Sequence, residues 1–173
     1  MKKCIKWIVV SFMLLGFSGA VFAQGAYIGV GGYIADPQDA PWDSADTEWD
    51  FTGSIGYMFS PNFGIEYDHY RLGKFETNAA TLKTTANALA LMLVAPLKSA
   101  KLYAKIGAAN IKTKVDSSAG LTILDSDSTE AFGGIGVEFG PKNVGFYLEA
   151  MYFPNDVSDI LTYGAGVRFW FGK

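Results

Sequence analysis

Between residues 25 and 171 the sequence returns eight times to one pattern, a short stretch in which alternate side chains are apolar. A β-strand crosses a bilayer in about 9–11 residues, whereas a helix needs about 20 apolar residues in a row. The longest apolar run in this part of the chain is 88–97, and Pro96 lies inside it. The eight segments are 25–35, 49–59, 63–72, 84–95, 101–112, 128–139, 144–153 and 161–171. In the second, Phe51, Gly53, Ile55, Tyr57 and Phe59 share one face, and Asp50, Thr52, Ser54, Gly56 and Met58 the other. In the last, Tyr163, Ala165, Val167, Phe169 and Phe171 oppose Gly164, Gly166, Arg168 and Trp170. Residues 77–109 are rich in Ala, Leu and Lys, which favour helix. Even so, Leu89, Leu91 and Leu93 fall on one parity, and Pro96 would break a long helix.

The connections alternate in length. Long ones at 36–48, 73–83 and 113–127 alternate with short ones at 60–62, 96–100 and 140–143, and 154–160 is intermediate. Pro61-Asn62 and Gly140-Pro141-Lys142-Asn143 have turn chemistry, because Pro presets φ while Asn and Gly tolerate left-handed backbone. Eight antiparallel strands with one decorated end and one trimmed end give this alternation.

The first residues read as an address. Lys2, Lys3 and Lys6 precede an apolar run from Trp7 to Leu15, and Val21-Phe22-Ala23 gives a small-residue exit. This is the order of a secretory signal peptide, with cleavage expected after Ala23. Two regions follow: residues 1–23 as signal peptide and 24–173 as a single barrel domain. Cleavage would remove three lysines and no acid, taking the formal net charge from −3 to −6. It would also remove Cys4, the only cysteine, which excludes an intramolecular disulfide framework and a multi-cysteine metal site. An acidic chain gives no reason to expect nucleic acid. Low charge, 18%, with 15% aromatic residues argues against disorder.

An antiparallel barrel with one apolar face is a soluble container if that face points in, and a membrane protein if it points out. Three observations choose the membrane. The second face carries only Glu66, Asp68, Lys105, Glu138, Glu149 and Arg168, diluted by glycines such as Gly56, Gly134, Gly136 and Gly166. That is too little charge for a wet exterior and suits a narrow lumen. Aromatics gather in two bands. Tyr57, Phe59, Phe63, Phe139, Phe146, Phe169 and Phe171 lie near the short turns, and Tyr33, Trp49, Phe51 and Tyr152 near the long loops. Such bands mark membrane interfaces. Export and the asymmetry of short turns and long loops match outer-membrane topology. The expected fold is all-β, an eight-stranded antiparallel up-and-down transmembrane barrel.

Gly25-Ala26-Tyr27-Ile28-Gly29-Val30-Gly31-Gly32-Tyr33 resembles the first strand of the OmpA/OmpX-like outer-membrane β-barrel family. Gly64-Ile65-Glu66-Tyr67-Asp68-His69-Tyr70 is similar to its third strand, and Phe132-Gly133-Gly134-Ile135-Gly136-Val137-Glu138-Phe139 to its sixth. Tyr163-Gly164-Ala165-Gly166-Val167-Arg168-Phe169-Trp170-Phe171 is similar to its closing strand. The resemblance covers residues 24–173. It implies a bacterial outer-membrane location, with both termini periplasmic and the long loops extracellular. The partners it implies are outer-membrane lipid and lipopolysaccharide, periplasmic chaperones and the barrel-assembly machinery, with a monomer as the expected state. Phe169 and Phe171 stand where the family carries its assembly signal, although Gly172 and Lys173 follow where a family chain usually ends on an aromatic.

On the inward parity, Glu66, Asp68, Lys105, Glu138, Glu149 and Arg168 are expected to form a structural network of ion pairs and hydrogen bonds, because charges held away from water must be paired. A catalytic carboxylate pair would need a cleft and a substrate route. His69 is the one histidine. Its neighbours Asp68-His69-Tyr70-Arg71 do not resemble the His-Ser-Asn motif of lipid A deacylases, so His69 is expected at the outer rim near headgroups. The first loop is acidic and carries Trp42, the candidate recognition anchor. It and the third loop, with Asp116, Asp125 and Asp127, lack EF-hand spacing and read as solvated acidic surface. No catalytic, cofactor or metal residues are expected. The expected function is a non-enzymatic structural or surface-interaction role, with host or cell-surface ligands. The alternatives are a narrow conduit for small or hydrophobic solutes and a lipid-modifying enzyme.

Overall fold

The computed structural model describes residues 25–39, 49–76, 80–117, 122–156 and 158–171. The expected signal peptide and Trp42 lie outside the described residues. Nine strands form one sheet: β1 (Gly25–Pro37), β2 (Trp49–Ser60), β3 (Phe63–Tyr70), β4 (Lys74–Glu76), β5 (Ala80–Pro96), β6 (Lys101–Ser117), β7 (Thr122–Phe139), β8 (Val144–Phe153) and β9 (Ile160–Phe171). β3 and β4 both pair with β5 and serve as one stave, so the barrel has eight. They are separated at residues 71–73, where Gly73 takes φ +96° and accepts a bond from Thr84 N at 3.1 Å. Glycine adopts that backbone without a Cβ clash.

Every pairing is antiparallel, and β1 closes the ring by pairing with β9 as well as β2. From Gly25 the partners run through Met58, Gly64, Met92, Lys105, Gly134, Met151 and Thr162. They return to β1 at Ala35, ten residues further along. A shear of ten over eight strands tilts the staves, and the bore is then narrow enough for side chains to fill. Closure leaves no open sheet edge at membrane depth.

The faces divide as the alternation requires. Ile28, Val30, Ile55, Leu89, Leu93, Ile106, Ile135 and Leu148 point outward and are exposed. The short-turn aromatic band lies on the outward parity, and so do Trp49, Phe51 and Tyr152 at the other end. Tyr33 does not belong to that band. It points inward and is buried against Tyr70, because it shares the parity of Gly25 and Tyr27.

The segments 73–83 and 113–127, read from the sequence as long loops, are largely strand. β5 begins at Ala80, β6 runs to Ser117 and β7 starts at Thr122. In these extensions the apolar parity changes sides. Below Asn87, β5 shows Leu89, Leu91 and Leu93 to the outside; above it, Lys83 and Thr85 point outward while Leu82 and Ala86 are buried. On β6, Ile106 points outward, but Ile111 and Val115 point inward beneath the outward Lys112 and Lys114. A search for lipid-facing apolar residues stops at this crossover, although the strands continue. β7 pairs with β8 only from Gly133 to Phe139, so β4 to β7 rise beyond the rest of the rim as a raised wall.

Candidate functional site

The lumen is built in layers. Nearest the short turns, Tyr27, Met58, Met92, Tyr103, Tyr147 and Trp170 fill it. All three tyrosines of this layer stand directly opposite glycines: Tyr27 faces Gly56, Tyr103 faces Gly136 and Tyr147 faces Gly166. Each ring lies where a Cβ on its glycine would be. The missing side chains let the rings lie flat against the wall and leave the axis of the bore open.

Arg168 occupies that axis. It is 1% exposed, with its guanidinium carbon 4.5 Å from the Tyr147 ring centroid, 4.6 Å from Tyr103 and 5.4 Å from Tyr27. Aromatic faces attract such a cation electrostatically. Arg168 Nη1 donates to Glu138 Oε2 at 3.2 Å; Nη2 lies 3.2 Å from Glu66 Oε2 and 3.8 Å from Glu149 Oε2. Lys105 is the second buried cation. It contacts Glu66 directly, and reaches Glu149 at 2.9 Å and Asp68 at 3.6 Å. Tyr27 donates its hydroxyl hydrogen to Glu66, and Tyr103 donates to Glu149 at 3.0 Å. At the short-turn mouth, Lys101 pairs with Glu138 at 2.5 Å, and Trp170 Nε1 donates to Glu138 at 3.1 Å. All six inward charged residues singled out in the sequence therefore meet in one cluster. Asp68 is its loosest member: Oδ2 has no partner among the described residues.

Above the charges the lumen becomes apolar. Tyr70 packs edge-on to Tyr33 and Phe153 at 5.8 and 5.0 Å, and Phe153 stacks on Phe132 at 5.2 Å. Leu72, Leu82, Ile111 and Ile160 complete this core. The connection after β8 folds over it: Asn155 Nδ2 donates to Thr113 at 3.1 Å, and Gln38 N donates to Asp159 O at 2.8 Å. Sequence reasoning placed Trp170 on the inner face beside Arg168 but missed the inward tyrosines. Their parity was the available signal, since Tyr103 is in step with Lys105 and Tyr147 with Glu149.

On the outside, His69 is exposed at the end of β3, and its Nδ1 lies 2.9 Å from Asn87 Oδ1, which also accepts from Tyr67 at 3.0 Å. No serine bonds to the imidazole among the described residues. The raised wall carries charge on its outward face. Lys74, Lys83 and Lys114 are register partners across β4, β5 and β6. Lys83 pairs with Asp116 at 3.4 Å, Lys114 with Asp125 at 3.5 Å and Lys112 with Asp127 at 3.6 Å. Among the described residues, no cluster of His, Cys, Asp and Glu could hold a metal ion. Phe169 and Phe171 point outward at the short-turn end.

The same fold occurs in solved outer-membrane proteins. Ail, the attachment invasion locus protein of Yersinia pestis, is 20% identical with a TM-score of 0.62, over 85% of this chain and 99% of that one. A second Ail structure, in complex with the heparin analogue sucrose octasulfate, is 18% identical with a TM-score of 0.63, over 85% and 99%. OprG of Pseudomonas aeruginosa is 16% identical with a TM-score of 0.64, over 86% and 97%. At such identities the likeness is one of fold. No curated protein sequence matches the chain. A family model described as outer membrane protein beta-barrel domain matches residues 9–169. Closed ring, apolar exterior and sequence match agree: the chain belongs to the outer membrane protein beta-barrel family.

Proposed function

We propose that the protein is a non-enzymatic outer-membrane barrel, closed by its own side chains, that works through its raised outer wall as a surface-interaction and envelope-stabilising element. The lumen carries this reading: the Arg168 cluster and the aromatic core above it are buried in series along the bore. The short turns face the periplasm and the wall faces outward, in keeping with the family pattern. The lysine row Lys74, Lys83 and Lys114, flanked by Lys112, suits an anionic sugar as ligand. Ail, similar in fold, is known in complex with a sulfated sugar. Phe169 and Phe171 serve in this reading as the assembly signal. Among the described residues His69 bonds to the Asn87 amide and to no nucleophile it could activate.

The refolded protein should bind sulfated dextran, and the K83Q/K112Q/K114Q variant should bind at least about tenfold more weakly, as expected when several phosphate- or sulfate-type contacts are lost. Equal binding by the two proteins would remove the wall from the mechanism. In planar bilayers the protein should give no regular conductance steps. Steady unitary steps would favour a conduit instead.

A further inference from the structure

The short-turn end carries two exposed lysines that neither the lumen nor the raised wall uses. Its connections, 61–62, 97–100 and 140–143, are two to four residues long. Lys98 and Lys142 are exposed in two of them. Lys101 opens β6 beside them, with its ammonium paired to Glu138 and 4.3 Å from the Trp170 ring centroid. Glu138 is the only carboxylate among the described residues at this end, and it is turned into the lumen. At the opposite rim the lysines of the raised wall stand against Asp116, Asp125 and Asp127, and the rest is acidic. Its segments 36–39 and 154–159 contain Asp36, Asp39, Asp156 and Asp159 and no lysine or arginine.

A belt of outward apolar side chains fixes the depth of these lysines. Leu97, Leu102, Phe139 and Phe146 are exposed next to them. Such a belt settles at the boundary of the hydrocarbon, and a lysine just beyond it lays its stem along apolar surface with its ammonium among headgroups. Turns this short do not reach past the membrane surface, so the group that meets them is a headgroup rather than a distant macromolecule.

We propose that the short-turn rim is a binding surface for anionic phospholipid, with Lys98 and Lys142 as the phosphate-pairing cations and Lys101 as their auxiliary. This rests on the membrane-barrel reading above, and it predicts headgroup selectivity at the rim opposite the raised wall. The test uses the full mature barrel in phosphatidylcholine nanodiscs, with spin-labelled phosphatidylglycerol or phosphatidylcholine at low mole fraction as the probe. The protein should prefer the anionic probe on the order of fivefold, the ratio that one cation at a negatively charged membrane surface supplies, and salt should weaken that preference. K98Q/K142Q should bring the ratio close to one while the barrel keeps its heat-modifiable gel mobility. K112Q/K114Q, on the outer wall, should leave the ratio unchanged. A folded wild-type barrel with no preference would overturn the proposal. So would a preference that survives K98Q/K142Q or that is lost in K112Q/K114Q. Failure to form a barrel in the discs at all would instead overturn the membrane reading, and mobility distinguishes the two results.

Discussion

Four carboxylates share the lumen with two fully buried cations, so losing a cation and losing an acid are unequal events. Arg168→Met leaves Glu66, Glu138 and Glu149 without their common partner and should destabilise the barrel by about 3–5 kcal/mol, as for other broken buried ion pairs. Asp68→Asn removes a carboxylate whose one ion-pair contact among the described residues is 3.6 Å from Lys105, and it lowers the surplus of negative charge. Its effect should be clearly smaller than that of R168M, because the amide leaves no uncompensated buried charge. Urea unfolding in lipid vesicles measures both. A midpoint for R168M equal to wild type, or a D68N loss as large as that of R168M, would contradict this division of labour. The glycines give a second contrast at this scale. A Cβ at Gly136 would fall on the Tyr103 ring, whereas nothing lies within 4 Å of one at Gly53. Gly136→Val should therefore cost about 1–3 kcal/mol by overpacking, and Gly53→Val should be neutral in the same assay.

The strands can be judged by what their alternation revealed. Where the apolar parity faces lipid, as in Ile55, Leu91 or Phe169, the sequence alone placed both the strand and its faces. It also brought the inward charges together, because Glu66, Lys105, Glu138, Glu149 and Arg168 all break an otherwise small or apolar inner parity. It lost the extensions of β5, β6 and β7, since there the solvent is water outside and packed side chains inside. Lys112 and Lys114 then occupy positions that Ile106 occupies lower down. It placed Tyr33 in the outer girdle because residue type and position along the strand suggested an interface, whereas parity assigned it to the core. The crossover near Asn87 makes a prediction about depth. Leu91→Arg puts a charge into hydrocarbon and should cost about 2–4 kcal/mol, while Thr85→Arg, on the same face but above the crossover, should cost about 0–1 kcal/mol. Equal losses at the two positions would mean that the membrane boundary does not lie between them.

At the scale of the whole molecule, the exterior is a lipid-facing band and the interior is dry packing, and two tryptophans report on them separately. Trp49 is 77% exposed on the outside, whereas Trp170 is 8% exposed within the lumen. In vesicles of brominated phospholipid, a variant that keeps only Trp49 should lose most of its fluorescence. One that keeps only Trp170 should retain it. Quenching of Trp170 as strong as that of Trp49 would mean that lipid reaches the bore.

Tyr27, Tyr103 and Tyr147 lying over the glycines of the next strand have a consequence for how the ring is assembled. If β1 slid by two residues along β2, Tyr27 would meet Ser54 or Met58 instead of Gly56, and its ring would have nowhere to lie. The β1–β2 seam thus accepts one alignment, whereas Tyr103 and Tyr147 would meet a second glycine, Gly134 or Gly164, after a slide in one direction and are blocked by Glu138 or Arg168 in the other. The same contacts that make room for a buried arginine also act as a ratchet of fixed pitch, so the chain can check the stagger of its own cylinder as it closes.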